Sequence, residues 1–383
     1  MKILYIIPRF HPFKGGAEKN IESLAIRAAK NGNDVIVFTT NVKFNGENLD
    51  WEKNYNGLKI IRHWSLNSWL YLGFYPKLLP DLLKSDADII HVSGFGFIWV
   101  EFCLIFKRLF DKKVKIINTP HGPFMAFTKS GIRGLLKKIY TSVLKIVLPF
   151  IYDAVIAVVD KQKEWINKDY RIPKDRIFTI PNGIDESYIE PISPKYKENE
   201  KIIITYLNRM EWYKGIQTVL LAMDRLDKAS LEKIEFWIMG RAGAYTKKIL
   251  EIIEQKNLKE YTRIIYAPTD MQRDEAFLKS QINILPSKWE ATGIALLEAM
   301  AKGNVIITTY QNQAWEMLIN KNSGYAFEFG DDHKLSTILN DIINDDNKRN
   351  QIIQNNLKFV KNFTWEAIYP DYKNLITSLV NGN

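Results

Sequence analysis

Two glutamates, Glu290 and Glu298, stand eight positions apart in PSKWEATGIALLEAMAKG (286–303). The first lies in a loop-like stretch and the second inside an apolar, helix-like run. On an amphipathic helix, Glu298 would simply face solvent. The alternative is that both carboxylates serve one polar ligand at the start of the helix predicted over 294–303, whose first amides are unpaired. A carboxylate accepts hydrogen bonds from sugar hydroxyls, and one such group can hold two hydroxyls of a ribose. Upstream, NRMEWYKG (208–215) sets Arg209 and Lys214 on either side of a strand-to-helix turn. A guanidinium grips phosphate oxygens as a fork, and a lysine supplies a compact charge; a solvated basic turn is the plainer reading. In FHPFKGGAEKN (10–20), Gly15 and Gly16 open a helix where the backbone approaches a ligand closely and free N–H groups favour an anion. That pair is neither a G-x-G-x-x-G fingerprint nor a P-loop, and alone it reads equally well as a flexible turn.

The elements that must position these residues alternate. Strand-like runs fall at 2–7, 33–40, 58–64, 87–94, 114–122, 153–159 and 177–185, with helices at 17–32 and near 132–148. A polar, proline-containing stretch without periodicity, 186–201, reads as a linker. Alternation then restarts with strands at 201–210, 234–240, 262–267, 281–287 and 305–309 and helices at 215–226, 245–256, 294–303 and 334–343. A final helical region occupies 346–383. Strands alternating with helices predict parallel βαβ units covered on both faces. The expected fold class is therefore α/β, with two doubly wound Rossmann-like domains. Ligands of such sheets bind at the carboxyl ends of strands, so a molecule held by both halves would lie in a central cleft.

Length and composition agree. The 383 residues exceed one ordinary core, and 46% hydrophobic with 25% charged residues is globular composition. One cysteine, Cys103, excludes an intrachain disulfide and suits a reducing cytosol. The first apolar run, 3–7, is too short for a secretion signal, so a cytoplasmic protein is expected. Net charge is +10 and uneven: residues 1–190 hold 28 Lys and Arg against 19 Asp and Glu, and the rest hold 25 against 24. A basic half implies an anionic partner, but no nucleic-acid recognition module is visible.

With these motifs together, PSKWEATGIALLEAMA resembles the E-x7-E region of the retaining GT-B glycosyltransferases of family 4. GGAEKNIESLAIRAAKNGNDVIVFT, IIHVSG, TPHG, PNGID and NRMEWYKG accompany it in order, spanning nearly the whole chain. The resemblance implies domains at 1–187 and 188–364, the first completed by a C-terminal helix at 365–383. It also implies transfer of a sugar from a nucleotide-sugar donor with retained anomeric configuration, and no cofactor or bound metal. On that pattern Gly15 and Gly16 approach the donor diphosphate, while Arg209 and Lys214 neutralise it with help from Thr292, Gly293, Ile294 and Ala295. Glu298 holds the ribose, Glu290 and His121 lie at the donor sugar, and Asn182 marks a turn at the ligand. The family usually has E-G-F-G where this chain has Glu290-Ala291-Thr292-Gly293, which alters the wall around the sugar. Asn208 replaces a common glycine, and Tyr266-Ala267-Pro268 departs from the usual aromatic-x-Gly turn near the nucleobase.

The acceptor is expected to be a glycan, glycolipid or lipid-linked glycan. Two segments carry aromatic or basic amphipathic character suited to peripheral contact with an anionic membrane at its cytoplasmic face, 63–84 and 127–148. A core-packed helix with a solvated face is the other reading of the second. Asp86-Ala87-Asp88 matches a metal-binding D-x-D but reads as a polar loop before a strand, and the scattered histidines lack metal-ligand spacing. A nucleotide-sugar epimerase on the same fold and a catalytically silent sugar-nucleotide-binding protein are the rival functions.

Overall fold

The computed structural model describes residues 1–383 except 44–46, 67–73, 123–131, 190–200, 291–292, 320–322 and 383. Contacts divide the chain into two compact units, Met1–Asn182 with Ile368–Asn383, and Gly183–Ala367. In unit 1 the strands are β1 (Lys2–Ile6), β2 (Asp34–Thr40), β3 (Glu52–Tyr55), β4 (Leu58–His63), β5 (Ile89–Ser93), β6 (Lys115–Thr119), β7 (Ala154–Ala157) and β8 (Ile177–Thr179). They form one sheet in the order β3-β4-β2-β1-β5-β6-β7-β8, parallel except for β3. Central strands such as Ile3–Ile6 and Ile89–Val92 are buried on both faces, which is why they read as continuous apolar runs. The antiparallel β3 went unread because Glu52-Lys53-Asn54-Tyr55 is a polar edge. Its hairpin turns at Asn56-Gly57, where φ is 49° and 81°, and Asn-Gly is the pair this turn favours.

Unit 2 contains β9 (Ile202–Leu207), β10 (Ile234–Gly240), β11 (Thr262–Tyr266), β12 (Ile282–Leu285), β13 (Val305–Thr309) and β14 (Gly324–Phe327), all parallel in the order β11-β10-β9-β12-β13-β14. Both central strands, β9 and β12, end where the candidate residues begin. Helices Ile216–Asp224 and Asp332–Asn344 cover one face through Val219, Leu220, Leu335 and Leu339. The predicted terminal helical region resolves into Asp346–Phe359, a short 3-10 turn, and Trp365–Asn381.

Within unit 1 the last helix contributes Tyr372, whose hydroxyl lies 2.9 Å from the Tyr5 hydroxyl and 3.0 Å from His91 Nδ1; His91 Nε2 is 2.8 Å from Thr119 Oγ1. His91 is fully buried, and burial lowers its pKa from 6.5 to about 3. The unfolded chain therefore takes up a proton near pH 6.5 that the folded chain refuses until about pH 3, so stability falls as pH drops through that window. Unfolding free energies from urea melts at pH 7 and pH 5 are expected to differ by on the order of 2 kcal/mol through this histidine. His91→Gln, which cannot titrate, should reduce the difference by that amount; an unchanged difference would dismiss the assignment.

Candidate active site

The chemistry-bearing residues of unit 2 converge at the ends of β9 and β12. Beyond β9, Asn208 and Arg209 lead into a 3-10 turn, Trp212–Lys214, which closes at Gly215. Gly215 adopts φ +75°, and a Cβ there would stand 1.9 Å from the Pro286 carbonyl oxygen. Only glycine lets this turn approach the chain leaving β12. Lys288 N–H also donates to the Tyr213 carbonyl at 2.7 Å. The two segments are thereby locked together, and Lys214 meets Glu290.

Lys214 Nζ lies 2.5 Å from Glu290 Oε1. The same oxygen accepts from Asn208 Nδ2 at 2.9 Å and from Ser287 Oγ at 3.1 Å. Lys214 is 8% exposed. A carboxylate held by one cation and two neutral donors is oriented. Arg209 is more open; its guanidinium donates to the Tyr213 hydroxyl at 2.6 Å. The backbone of Glu290 bridges to Asn312, with Gln313 N–H donating to the Glu290 carbonyl at 3.0 Å.

Helix Ile294–Ala301 begins at Gly293, which has φ +66°. Ile294 and Ala295 form its first turn, and the Leu296 N–H donates to the Gly293 carbonyl at 2.7 Å. Thr292 lies outside the described residues. Glu298 does not face solvent: it is 4% exposed. Arg273 Nε stands 3.9 Å from its Oε2, and Arg273 donates to the Tyr188 hydroxyl at 2.8 Å. Tyr188 sits 3.2 Å from Asp274 Oδ1. Burial opposes the charge on Arg273, yet Glu298, Tyr188 and Asp274 together raise its pKa further above the ordinary arginine value. Thus each of the two glutamates has its own cation, Lys214 for Glu290 and Arg273 for Glu298.

In unit 1, Gly15 caps helix Gly16–Lys30 with extended backbone, and a Cβ there would strike the Glu18 carboxylate at 2.2 Å. Asn20 of that helix donates to buried Asn182 Oδ1 at 2.7 Å, joining the PNGID turn to the glycine pair. His121 follows β6 with φ 56°, a left-handed conformation that costs a residue with a Cβ on the order of 1 kcal/mol. Its Nε2 lies 3.1 Å from Ser93 Oγ, and burial lowers its pKa to about 4, leaving the imidazole neutral at pH 7.

Three contributors were not singled out in the sequence: Arg273, Ser287 and Tyr188. Arg273 lies on helix Asp270–Lys279, whose capping box, Thr269 with Gln272, was the available sign of a helix. Asn208, noted only as a departure, is a ligand of Glu290. Asp86 pairs with the Lys2 ammonium, and Asp88 accepts from the Lys2 N–H at 2.8 Å, so D-x-D is tied to the start of the neighbouring strand β1. Among the described residues no three His, Cys, Asp or Glu gather in a metal-holding cluster, and no helix is long and apolar enough to cross a membrane.

Comparison with known proteins follows this geometry. The model for Glycosyltransferase Family 4 matches residues 14–188, and that for Glycosyl transferases group 1 matches 189–359. An uncharacterised glycosyltransferase of Methanocaldococcus jannaschii is 24% identical over 99% of both chains. GDP-mannose:cellobiosyl-diphosphopolyprenol alpha-mannosyltransferase of Xanthomonas campestris is 24% identical over 80% of this chain and 78% of its own. Among solved structures, sucrose-phosphate synthase of Thermosynechococcus elongatus superposes with a TM-score of 0.81 at 18% identity, covering 100% of both chains. Anabaena HepE, in complex with UDP and glucose, gives 0.77 at 15% identity, covering 99% of this chain and 100% of its own. The chain belongs to the family 4, group 1 glycosyltransferases and has their GT-B architecture of two Rossmann-like α/β domains with parallel sheets.

Proposed function

We propose that this glycosyltransferase moves a hexose from a nucleotide-sugar donor to a glycan, glycolipid or lipid-linked acceptor with retention of configuration, at the cytoplasmic face of a membrane. The observation that carries the reading is the Glu290 carboxylate gripped by Lys214, Asn208 and Ser287 beside a buried second acid, Glu298. In this reading Arg209 and Lys214 neutralise the leaving diphosphate together with the amides of Gly293 to Ala295. Fixed charges aimed at a developing anion lower the barrier most where water is excluded. Glu298 binds the ribose, with the Arg273 guanidinium standing opposite it. Glu290 accepts from donor-sugar hydroxyls. Gly15, Gly16, His121 and Asn182 keep the roles the resemblance assigns them.

The step is a front-face displacement: the bond from the anomeric carbon to phosphate breaks as the acceptor oxygen bonds to the same face. The acceptor proton passes to a phosphate oxygen of the departing nucleoside diphosphate. The oxocarbenium-like centre between them is ordinary for glycosyl transfer, and no metal takes part. The Xanthomonas relative is named for a GDP-mannose donor and a diphosphopolyprenol acceptor, and the Anabaena neighbour was crystallised with UDP-glucose. These names support a sugar nucleotide and a lipid-linked acceptor.

A thermal-shift screen against UDP-, GDP-, ADP- and dTDP-sugars tests this. One base is expected to raise the Tm, with stabilisation of about 2.7 kcal/mol at a hundredfold excess over Kd and no effect of chelator. The hit must then turn over with an acceptor extract. A donor isomerised without acceptor would instead assign an epimerase, and binding without any turnover a silent receptor.

A further inference from the structure

Two helices of unit 1 carry more apolar surface than the core uses. Helix Ile132–Ile151 buries Leu144, Leu148 and Ile151 against the sheet, yet exposes Leu135, Ile139, Val143, Ile146 and Phe150 on its other side. Their spacing of four, four, three and four makes one continuous row, about 22 Å long at the helical rise. Helix Ile98–Phe110 packs beside it. It adds Ile98, Phe102, Leu109 and Phe110, and Phe102, Phe106 and Phe110 stack in series with ring centroids 4.8 and 6.5 Å apart. Ile146 is 73% exposed and Phe110 75%. Of 21 large apolar side chains exposed among the described residues, these two helices hold nine, so the excess is a patch, not scatter.

Both helices carry net positive charge in sequence. Ile132–Ile151 includes Arg133, Lys137, Lys138 and Lys145 and no acid. At the end of the neighbouring helix, Lys112 and Lys113 are exposed, whereas Lys107 and Arg108 are already paired with Asp111 and Asp153. A second copy of this chain would set this acid-free helix against an equally basic surface, which repels. We propose that this two-helix face lies in the plane of an anionic phospholipid bilayer, with the apolar rows among the acyl chains and the lysines at the headgroups. In segment 63–84, Tyr75, Leu78 and Leu82 are core residues, Trp64, Leu66 and Leu83 are exposed, and 67–73 lies outside the described residues. None of its residues is among those assigned to the donor, so the face stands or falls independently of the proposed reaction.

Cosedimentation of the full chain with phosphatidylcholine vesicles, with and without about 30% phosphatidylglycerol, tests it. Wild type is expected in the pellet with the anionic vesicles. Plain phosphatidylcholine should capture about tenfold less, as should Ile139→Glu/Ile146→Glu on anionic vesicles. The substituted positions are solvent-facing, so the double variant should keep its Tm and its donor-dependent turnover with a water-soluble acceptor. Equal capture of variant and wild type, or no capture of wild type, overturns the proposal. So does a dimer in sedimentation equilibrium that the double variant abolishes, since it assigns the face to a second copy.

Discussion

Lys214→Ala is expected to lower kcat/KM for sugar transfer by roughly 10³-fold, the scale of losing one preorganised charge at a developing anion. Its ammonium is nearly buried and meets Glu290 at 2.5 Å, so the variant also strips a carboxylate of its counter-ion. Breaking a fully buried pair costs about 3–5 kcal/mol. Glu290 keeps Asn208 and Ser287 and is partly solvated, so a smaller loss of about 1–2 kcal/mol in urea is expected here. The two effects separate in Lys214→Ala/Glu290→Gln, which removes the stranded charge: stability should recover while transfer stays lost. Steady-state kinetics within threefold of wild type for Lys214→Ala would remove the lysine from the mechanism.

The second large effect comes from a residue that touches no ligand. Gly215→Ala forces a side chain into φ +75° and drives its Cβ to within 1.9 Å of the Pro286 carbonyl oxygen. Left-handed backbone alone costs about 1–2 kcal/mol for a residue with a Cβ. The clash is with backbone, so the turn bearing Lys214 and the segment bearing Glu290 must part, for a total of roughly 3 kcal/mol or more. A Tm lower by about 6–10 °C and transfer reduced nearly as far as in Lys214→Ala are expected. Gly330→Ala is the control: its φ is +89°, but nothing lies within 4 Å of the added Cβ. If both variants lose the same stability, close approach at Gly215 is not what holds the site together.

The parallel strands of both halves except β14 were legible because burial on both faces makes them uninterrupted apolar runs between turns, as in IIITYL and VIITT, whereas Gly324–Phe327 is only partly buried. What escaped notice breaks that rule. Glu52–Tyr55 is a strand but a polar edge. Ile98–Phe110 is a helix that buries Glu101 and Lys107 and exposes Ile98, Phe102, Leu109 and Phe110, so it does not read as an apolar face turned to the core. At the site, spacing found Lys214 and Glu290 because each follows directly from a strand end. It did not find Arg273 opposite Glu298, since that pairing depends on how a polar helix lies over the sheet. The eight-residue interval between the glutamates suggested a shared ligand; the fold adds that each is held by a different cation.

Tyr372 reaches Tyr5 and His91 from a segment that follows all of unit 2 in the chain. On the ribosome, the amino-terminal sheet is therefore made long before the helix that supplies a partner to the Tyr5 hydroxyl and to His91 Nδ1. Birth order and completion order are reversed: the half begun first is completed last, by helix Trp365–Asn381.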